Sequence, residues 1–220
     1  MMFEAAIFDW DGTLADTRHA IVTSFQKALS ENNIEIPNDY IEQRIGIGAA
    51  DTFREILHSK KRIVDEALIT RLVERKNEVQ IELADNIQLF DGAQPLLEAL
   101  RGKIKVALAT MSNNSVISHL LKINHLEKYF QVVLTANNVN CSKPNPEIFL
   151  KTATKLNTPP ALCTVFEDSR FGVKAAKTGG MHCIAVITGT NTKKELELEK
   201  PDLLVKNLKD PQILNYILRQ

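Results

Sequence analysis

Asp9 and Asp11 stand two residues apart at the end of the apolar run Ala5-Ala6-Ile7-Phe8, and Gly12 follows at once. An apolar run closed by a turn signal reads as a buried strand. In extended backbone, residues i and i+2 point the same way, so both carboxylates can face one pocket. Such a pair can act as nucleophile and general acid, or hold a cation. An Asp-Gly turn after an edge strand is the alternative for this stretch alone. A helix–loop–helix calcium loop is excluded. It needs Gly at its sixth position and Glu at its twelfth, and these are Leu14 and Ala20.

Three further groups of polar residues follow short apolar runs. They are Thr110-Met111-Ser112-Asn113-Asn114, then Cys141-Ser142-Lys143-Pro144, then Glu167-Asp168-Ser169. If those runs are parallel strands of one sheet, their C-terminal ends share an edge and the groups converge. One Lys is too little positive charge for Asp9, Asp11, Glu167 and Asp168 together. A hard divalent ion with oxygen ligands fits, and Mg²⁺ suits a site that also holds phosphate. Ser112 and Asn113 have two open roles, capping the next helix or contacting phosphate.

The elements that would position these residues are legible from periodicity. After the first strand, Glu4–Phe8, Thr17 is a candidate N-cap for a helix carrying Ile21, Phe25, Ala28 and Leu29. A short helix over 39–45, the Gly46-Ile47-Gly48 loop and two more helices complete a strand-free stretch to about residue 84. From residue 95 onward, strands near 103–109, 130–135, 162–166, 183–187 and 203–205 alternate with helices near 116–123, 146–156, 171–178 and 211–218. Alternation of this kind implies an α/β protein with a Rossmann-like, doubly wound parallel sheet. The expected organisation is a core of residues 1–16 and 88–220 with a helical cap, residues 17–87, inserted. Linkers fall near 14–18 and 85–92.

With 220 residues, 44% hydrophobic and 25% charged, the chain has the composition of a globular protein. Formal net charge is zero, which argues against nucleic acid or a membrane surface as partner. No apolar run approaches the roughly 18 residues of a spanning helix, and no signal peptide is evident, so a cytoplasmic protein is expected. Nothing demands more than a monomer. Cys141, Cys163 and Cys183 are expected to be buried, reduced thiols. The five histidines show no ligand spacing and read as structural or surface groups.

With these motifs assembled, the chain resembles a haloacid dehalogenase superfamily phosphohydrolase of the helical-cap subfamily. Asp9-x-Asp11-Gly12-Thr13 matches the first family motif, Thr110 the second, Lys143-Pro144 the third, and Glu167-Asp168-Ser169 with Gly172 the fourth. The resemblance implies that Asp9 is the nucleophile, forming an aspartyl phosphate, and that Asp11 protonates the leaving group and then activates water. It implies Mg²⁺ held by Asp9, the Asp11 backbone carbonyl and Asp168, with Glu167 supporting it through water or Lys143. Thr110 and Lys143 would bind phosphoryl oxygens, and the Trp10 amide would lie near the phosphate while its indole enters the core. Met111, Ser112, Asn113, Gly46, Gly48 and Lys76 join the expected substrate-binding set.

Superfamily dehalogenases lack the second aspartate of the first motif, so Asp11 disfavours dehalogenation. Arg75-Lys76-Asn77 resembles a cap segment of β-phosphoglucomutase, whose Lys reaches a second phosphate. Against a mutase, Ile21 stands where those enzymes place a His, and Ala49 and Ala50 stand where their cap loop carries an Arg. The Gly46-Ile47-Gly48 loop is closer to that of phosphoglycolate-type phosphatases. The expectation is therefore a phosphatase of the phosphoglycolate or sugar phosphate class. A hexose phosphate mutase and a non-catalytic binding protein on this scaffold are the alternatives.

Overall fold

The structure is a computed structural model and describes residues 3–218. Six parallel strands form one sheet: β1 (Ala5–Phe8), β4 (Lys105–Ala109), β5 (Val132–Leu134), β6 (Cys163–Glu167), β7 (His182–Val186) and β8 (Leu203–Val205). Their order is β5-β4-β1-β6-β7-β8. The first strand thus lies between β4 and β6, where the strand order reverses direction. Open α/β sheets form their ligand crevice at this point. The expected α/β fold is borne out.

Alternation along each strand divides the interior into two layers. Ala6, Phe8, Val106, Leu108 and Phe166 face one apolar cluster. Ala5, Ile7, Ala107, Ala109 and Val165 face the other. Phe8 and Phe166 stack with centroids 4.2 Å apart and planes 8° from parallel. Truncating either ring would cost about 3–5 kcal/mol, which fixes β1 against β6 immediately below the carboxylates. Helices α5 (Ala93–Leu100), α6 (Asn114–Ile123), α7 (Glu147–Lys155), α8 (Arg170–Thr178) and α10 (Pro211–Ile217) supply the remaining apolar stripes.

Between the first and second core strands, four helices enclose a third cluster. These are α1 (Arg18–Ser30), α2 (Asn38–Glu42), α3 (Ala49–Ser59) and α4 (Glu66–Glu82). Phe25 and Phe53 meet at 4.6 Å in that cluster, beside Ile41, Ile56 and Leu72. The chain enters through β2 (Ala15–Asp16) and leaves through β3 (Gln88–Leu89). These two short strands pair antiparallel, Ala15 with Leu89 and Asp16 with Gln88. The two expected linkers are therefore one hydrogen-bonded ribbon.

Two local expectations are corrected, and one helix is added. Thr17 precedes α1, but its hydroxyl makes no capping bond and is buried without a partner. Its ψ of −2° is near-helical, whereas a capping side chain needs an extended residue. Cys141 is exposed, because it lies in the loop after β5, while Cys163 and Cys183 are buried in strands. A helix was missed, α9 (Lys193–Leu198). Its signal was present as the Thr192-x-x-Glu195 capping box, with Glu195 Oε2 accepting from the Thr192 amide at 2.8 Å.

Candidate active site

Asp9 extends the β1 ladder by one bond, its amide donating to the Phe166 carbonyl at 3.0 Å. The chain then turns tightly. The Trp10 carbonyl accepts from Leu14 and Ala15 at 3.0 and 3.1 Å, and Gly12 takes φ +81°. A side chain at Gly12 would be strained and would also meet Asp168 Oδ2 at 2.2 Å. The Trp10 indole is wholly buried in the core, as expected. Asp9 and Asp11 consequently line one cavity of about 30 Å³ between the sheet edge and the four helices.

Lys143 reaches this edge from the loop before α7. Its Nζ donates to Asp9 Oδ1 and to Glu167 Oε1, both at 2.6 Å, and the side chain is fully buried. Burial favours the neutral amine, but the two carboxylates outweigh it and hold Lys143 protonated. Glu167 is occupied on its other oxygen as well. Its Oε2 accepts from the Asp168 and Ser169 amides and from the Ser169 hydroxyl, at 3.0–3.2 Å.

Asp168 sits beside them, its Oδ1 accepting from Thr13 Oγ1 at 3.0 Å. Asp168 Oδ2 is buried with no hydrogen-bond partner. Oxygens of Asp9, Glu167 and Asp168 lie within 4.8 Å of one another, and this cluster does not include the Asp11 carboxylate. Burial raises the carboxyls of Asp9 and Asp168 well above the usual carboxylate range. Glu167 pushes both further up, and each of the two also raises or is raised by another aspartate, Asp11 acting on Asp9 and Asp9 on Asp168. A side chain at Gly189 would overlap Asp168 Oδ2, at 1.7 Å, so glycine keeps space open around that orphaned oxygen. An all-oxygen set with an unsatisfied carboxylate fits a hard divalent cation.

The residues after β4 take different parts. Ser112 Oγ donates to Asp11 Oδ2 at 2.6 Å, and Thr110 Oγ1 lies 3.4 Å from the same atom. Asn113 instead caps α6, its Oδ1 accepting from the Ser115 amide at 3.0 Å. The helix-cap role thus falls to Asn113, while Ser112 holds the Asp11 carboxylate. Met111 lines the cavity and also a neighbouring one of about 220 Å³.

From the helical side, Gly46, Lys76, Ile21, Phe25 and Ile45 face Asp9 and Asp11 across the smaller cavity. Gly48 faces the larger one, with Met111 and Ser142 3.2–3.4 Å from where its side chain would begin. The helical side rests on the sheet side. Ser142 Oγ donates to Asp51 Oδ2, and Thr190 Oγ1 to the Glu42 carbonyl at 3.1 Å. A cavity this small, closed over, admits little beyond water.

Arg44 and Thr52 also line the cavity and were not anticipated. Arg44 precedes the Gly46 loop rather than following it, so the loop's position gave no signal. Its guanidinium is paired with Glu55 at 2.6 Å and stacks 3.5 Å over Tyr40.

The haloacid dehalogenase-like hydrolase family matches residues 6–186. The chain belongs to that family. It is 33% identical over 217 residues to a phosphorylated carbohydrates phosphatase of Thermotoga maritima, covering 94% of this chain and 99% of that protein. A solved hydrolase from Pseudomonas syringae superposes with a TM-score of 0.89 at 25% identity, over 98% of both chains. A β-phosphoglucomutase from Clostridium difficile superposes at 0.85 and 27% identity, over 99% and 98%. The expected enzyme class, a phosphoric monoester hydrolase, agrees with the family and with the Thermotoga maritima phosphatase. Among the described residues, no helix is long and apolar enough to cross a membrane.

Proposed function

We propose that this hydrolase is a Mg²⁺-dependent phosphatase of small phosphorylated metabolites, in the carbohydrate phosphate or phosphoglycolate range, working through an aspartyl phosphate. The observation that carries it is the buried Lys143 bridge between Asp9 and Glu167 beside the orphaned oxygen of Asp168. Three buried acids around one ammonium are costly unless a further cation and an anionic substrate complete the balance.

Asp9, the Asp11 backbone carbonyl and Asp168 would hold Mg²⁺, which supplies Lewis-acid charge against carboxylate–phosphate repulsion. The Asp9 carboxylate attacks phosphorus, forming the O–P bond as the ester O–P bond breaks. Asp11 gives its proton to the departing alkoxide, then removes one from the water that releases phosphate from Asp9. Lys143 and Thr110 hold phosphoryl oxygens as negative charge spreads in the transition state. Glu167 fixes Lys143 through its Oε1 and so supports the metal site indirectly. Residues 17–87 work as a cap that opens on the β2–β3 ribbon to admit substrate.

Asp9→Asn should abolish Mg²⁺-dependent hydrolysis of p-nitrophenyl phosphate. Retained turnover would sink the nucleophile assignment. One observation favours a second reading, a hexose phosphate mutase: Lys76 sits in the cavity facing Asp11, as a mutase cap requires. Incubation with β-glucose 1-phosphate separates them, free phosphate supporting the hydrolase and glucose 6-phosphate the mutase.

A further inference from the structure

A second cavity reaches the acidic cluster from the root of the cap, where Asp16, Thr17 and Arg18 leave the sheet domain. Asp168 lines this cavity and not the one that holds Asp9 and Asp11. Gly12 and Gly189 line it too, and a side chain begun at either would lie 2.2 and 1.7 Å from Asp168 Oδ2. The orphaned oxygen therefore faces this cavity. Gly12 needs glycine for its φ, but Gly189 lies outside the left-handed region, so space rather than backbone accounts for it. The Thr17 hydroxyl, a second orphan, belongs to the same wall, and Thr17 and Asp168 are each 1% exposed. Buried oxygens without protein partners are met by water or an ion. Thr188 Oγ1 donates to the Gly12 carbonyl at 2.6 Å and Thr190 Oγ1 to the Glu42 carbonyl at 3.1 Å, which ties the walls in place.

Size and charge separate the two cavities. The second measures about 110 Å³, against about 30 Å³ for the first. At roughly 10–15 Å³ per water, the second takes several waters and the first about two. Mg²⁺ sheds water reluctantly, so only the larger space suits its arrival with the cap shut. Lys76 and Arg44 share the wall of the first cavity with Asp9 and Asp11. The second has a carboxylate at each end, exposed Asp16 and buried Asp168. Arg18, which Asp16 also attracts, is bonded to Glu42 at 2.5 Å. A hydrated cation is drawn to the second cavity and an anionic ester to the first.

We infer that this second cavity is the port through which the divalent cation enters and leaves, so that cation exchange does not require the cap to open. This rests on the cation site proposed above. Asp16 and Thr190 set the charge and width of the passage and are not ligands of the cation.

The test is the release of Mn²⁺ from the loaded enzyme, timed by capture with excess fluorescent chelator, with affinity taken from the EPR signal of the free ion. Thr190→Trp, which fills the passage, should slow release and binding alike by about tenfold, leaving the dissociation constant unchanged. Equal change in both rates marks a passage rather than a ligand. Thr190→Val loses the same hydrogen bond without adding bulk and should release Mn²⁺ as wild type does. Ala49→Trp, which fills the substrate-side cavity, should leave release unchanged. Asp16→Asn should slow association several-fold at low salt but not at high salt, with release unchanged. Release as fast in Thr190→Trp as in Thr190→Val, or release slowed as much by Ala49→Trp, overturns the port. Should Thr190→Trp not fold, Asp16→Asn decides, and association unchanged at low salt overturns the port. A wild type that binds no Mn²⁺ overturns the cation site itself, and the port with it.

Discussion

Lys143 Nζ lies 2.6 Å from Asp9 Oδ1, with the lysine side chain wholly buried and the aspartate nearly so. The same nitrogen bonds Glu167, so one substitution leaves two buried carboxylates uncompensated. Lys143→Met keeps the stem's bulk and removes the charge. It should destabilise the protein by about 3–5 kcal/mol, the range for breaking a buried ion pair. With the ammonium gone, burial holds the Asp9 carboxyl above its unfolded pKa. That cost is absent below the unfolded value and grows as pH rises. Urea unfolding should therefore show a wider gap from wild type at pH 8 than at pH 5. An equal gap would mean that lost packing, not lost charge, is responsible.

Asp168 offers a separate test of the cation site. Burial, then Glu167 and Asp9, raise its carboxyl well above the usual range. A carboxyl raised on folding costs stability as pH climbs from its unfolded toward its folded pKa. Asp168→Asn should accordingly melt higher than wild type in EDTA at pH 7.5, and should lose the rise in melting temperature that Mg²⁺ gives wild type. A Mg²⁺-induced shift of equal size in the variant would remove Asp168 from the ligand set.

Most of this arrangement was legible in the residues. The apolar runs ending in Asp9, Thr110 and Glu167 are β1, β4 and β6, adjacent strands in the sheet, because buried parallel strands are short, apolar and end where polar groups begin. What the pattern could not supply was side-chain partnership. The Ser112 hydroxyl and the Asn113 amide both suit a helix cap, and only the fold sends one to Asp11 and the other to Ser115. Arg44 in the cavity wall and the β2–β3 ribbon depend on contacts between residues distant in the chain or too few to show a period. The Thr192–Glu195 box is a signal of the helix it opens that spacing alone makes readable.

Asp11 should reveal its proton transfer through the leaving group. Ser112 Oγ holds Asp11 Oδ2 at 2.6 Å, and Asp11 Oδ1 is buried without a hydrogen-bond partner. Asp11→Asn keeps the shape and removes the transferable proton. Alkyl phosphate turnover should fall by about 10²–10⁴-fold, the usual worth of a positioned general acid. p-Nitrophenyl phosphate, whose leaving group is stable as an anion, should lose much less in the step that phosphorylates Asp9. Equal losses, read as burst amplitude and steady-state rate for each ester, would show that Asp11 serves position rather than proton transfer.

Lys76 should show a cost of function in stability. Burial lowers its pKa from 10.5 to about 8, with Asp11 opposing only in part. A lysine depressed on folding carries its full cost below the folded pKa, where the buried ammonium must be kept charged. The cost is relieved between about 8 and 10.5, where the unfolded chain binds the proton and the folded one does not. At 1.36 kcal/mol per unit, Lys76→Met should gain up to about 3 kcal/mol at pH 7. Urea unfolding at pH 7 and pH 10 checks the sign, since the gain must shrink at the higher pH. No gain at pH 7 would mean that Gln80, Phe25 and Asp11 already offset the cost of burying the ammonium.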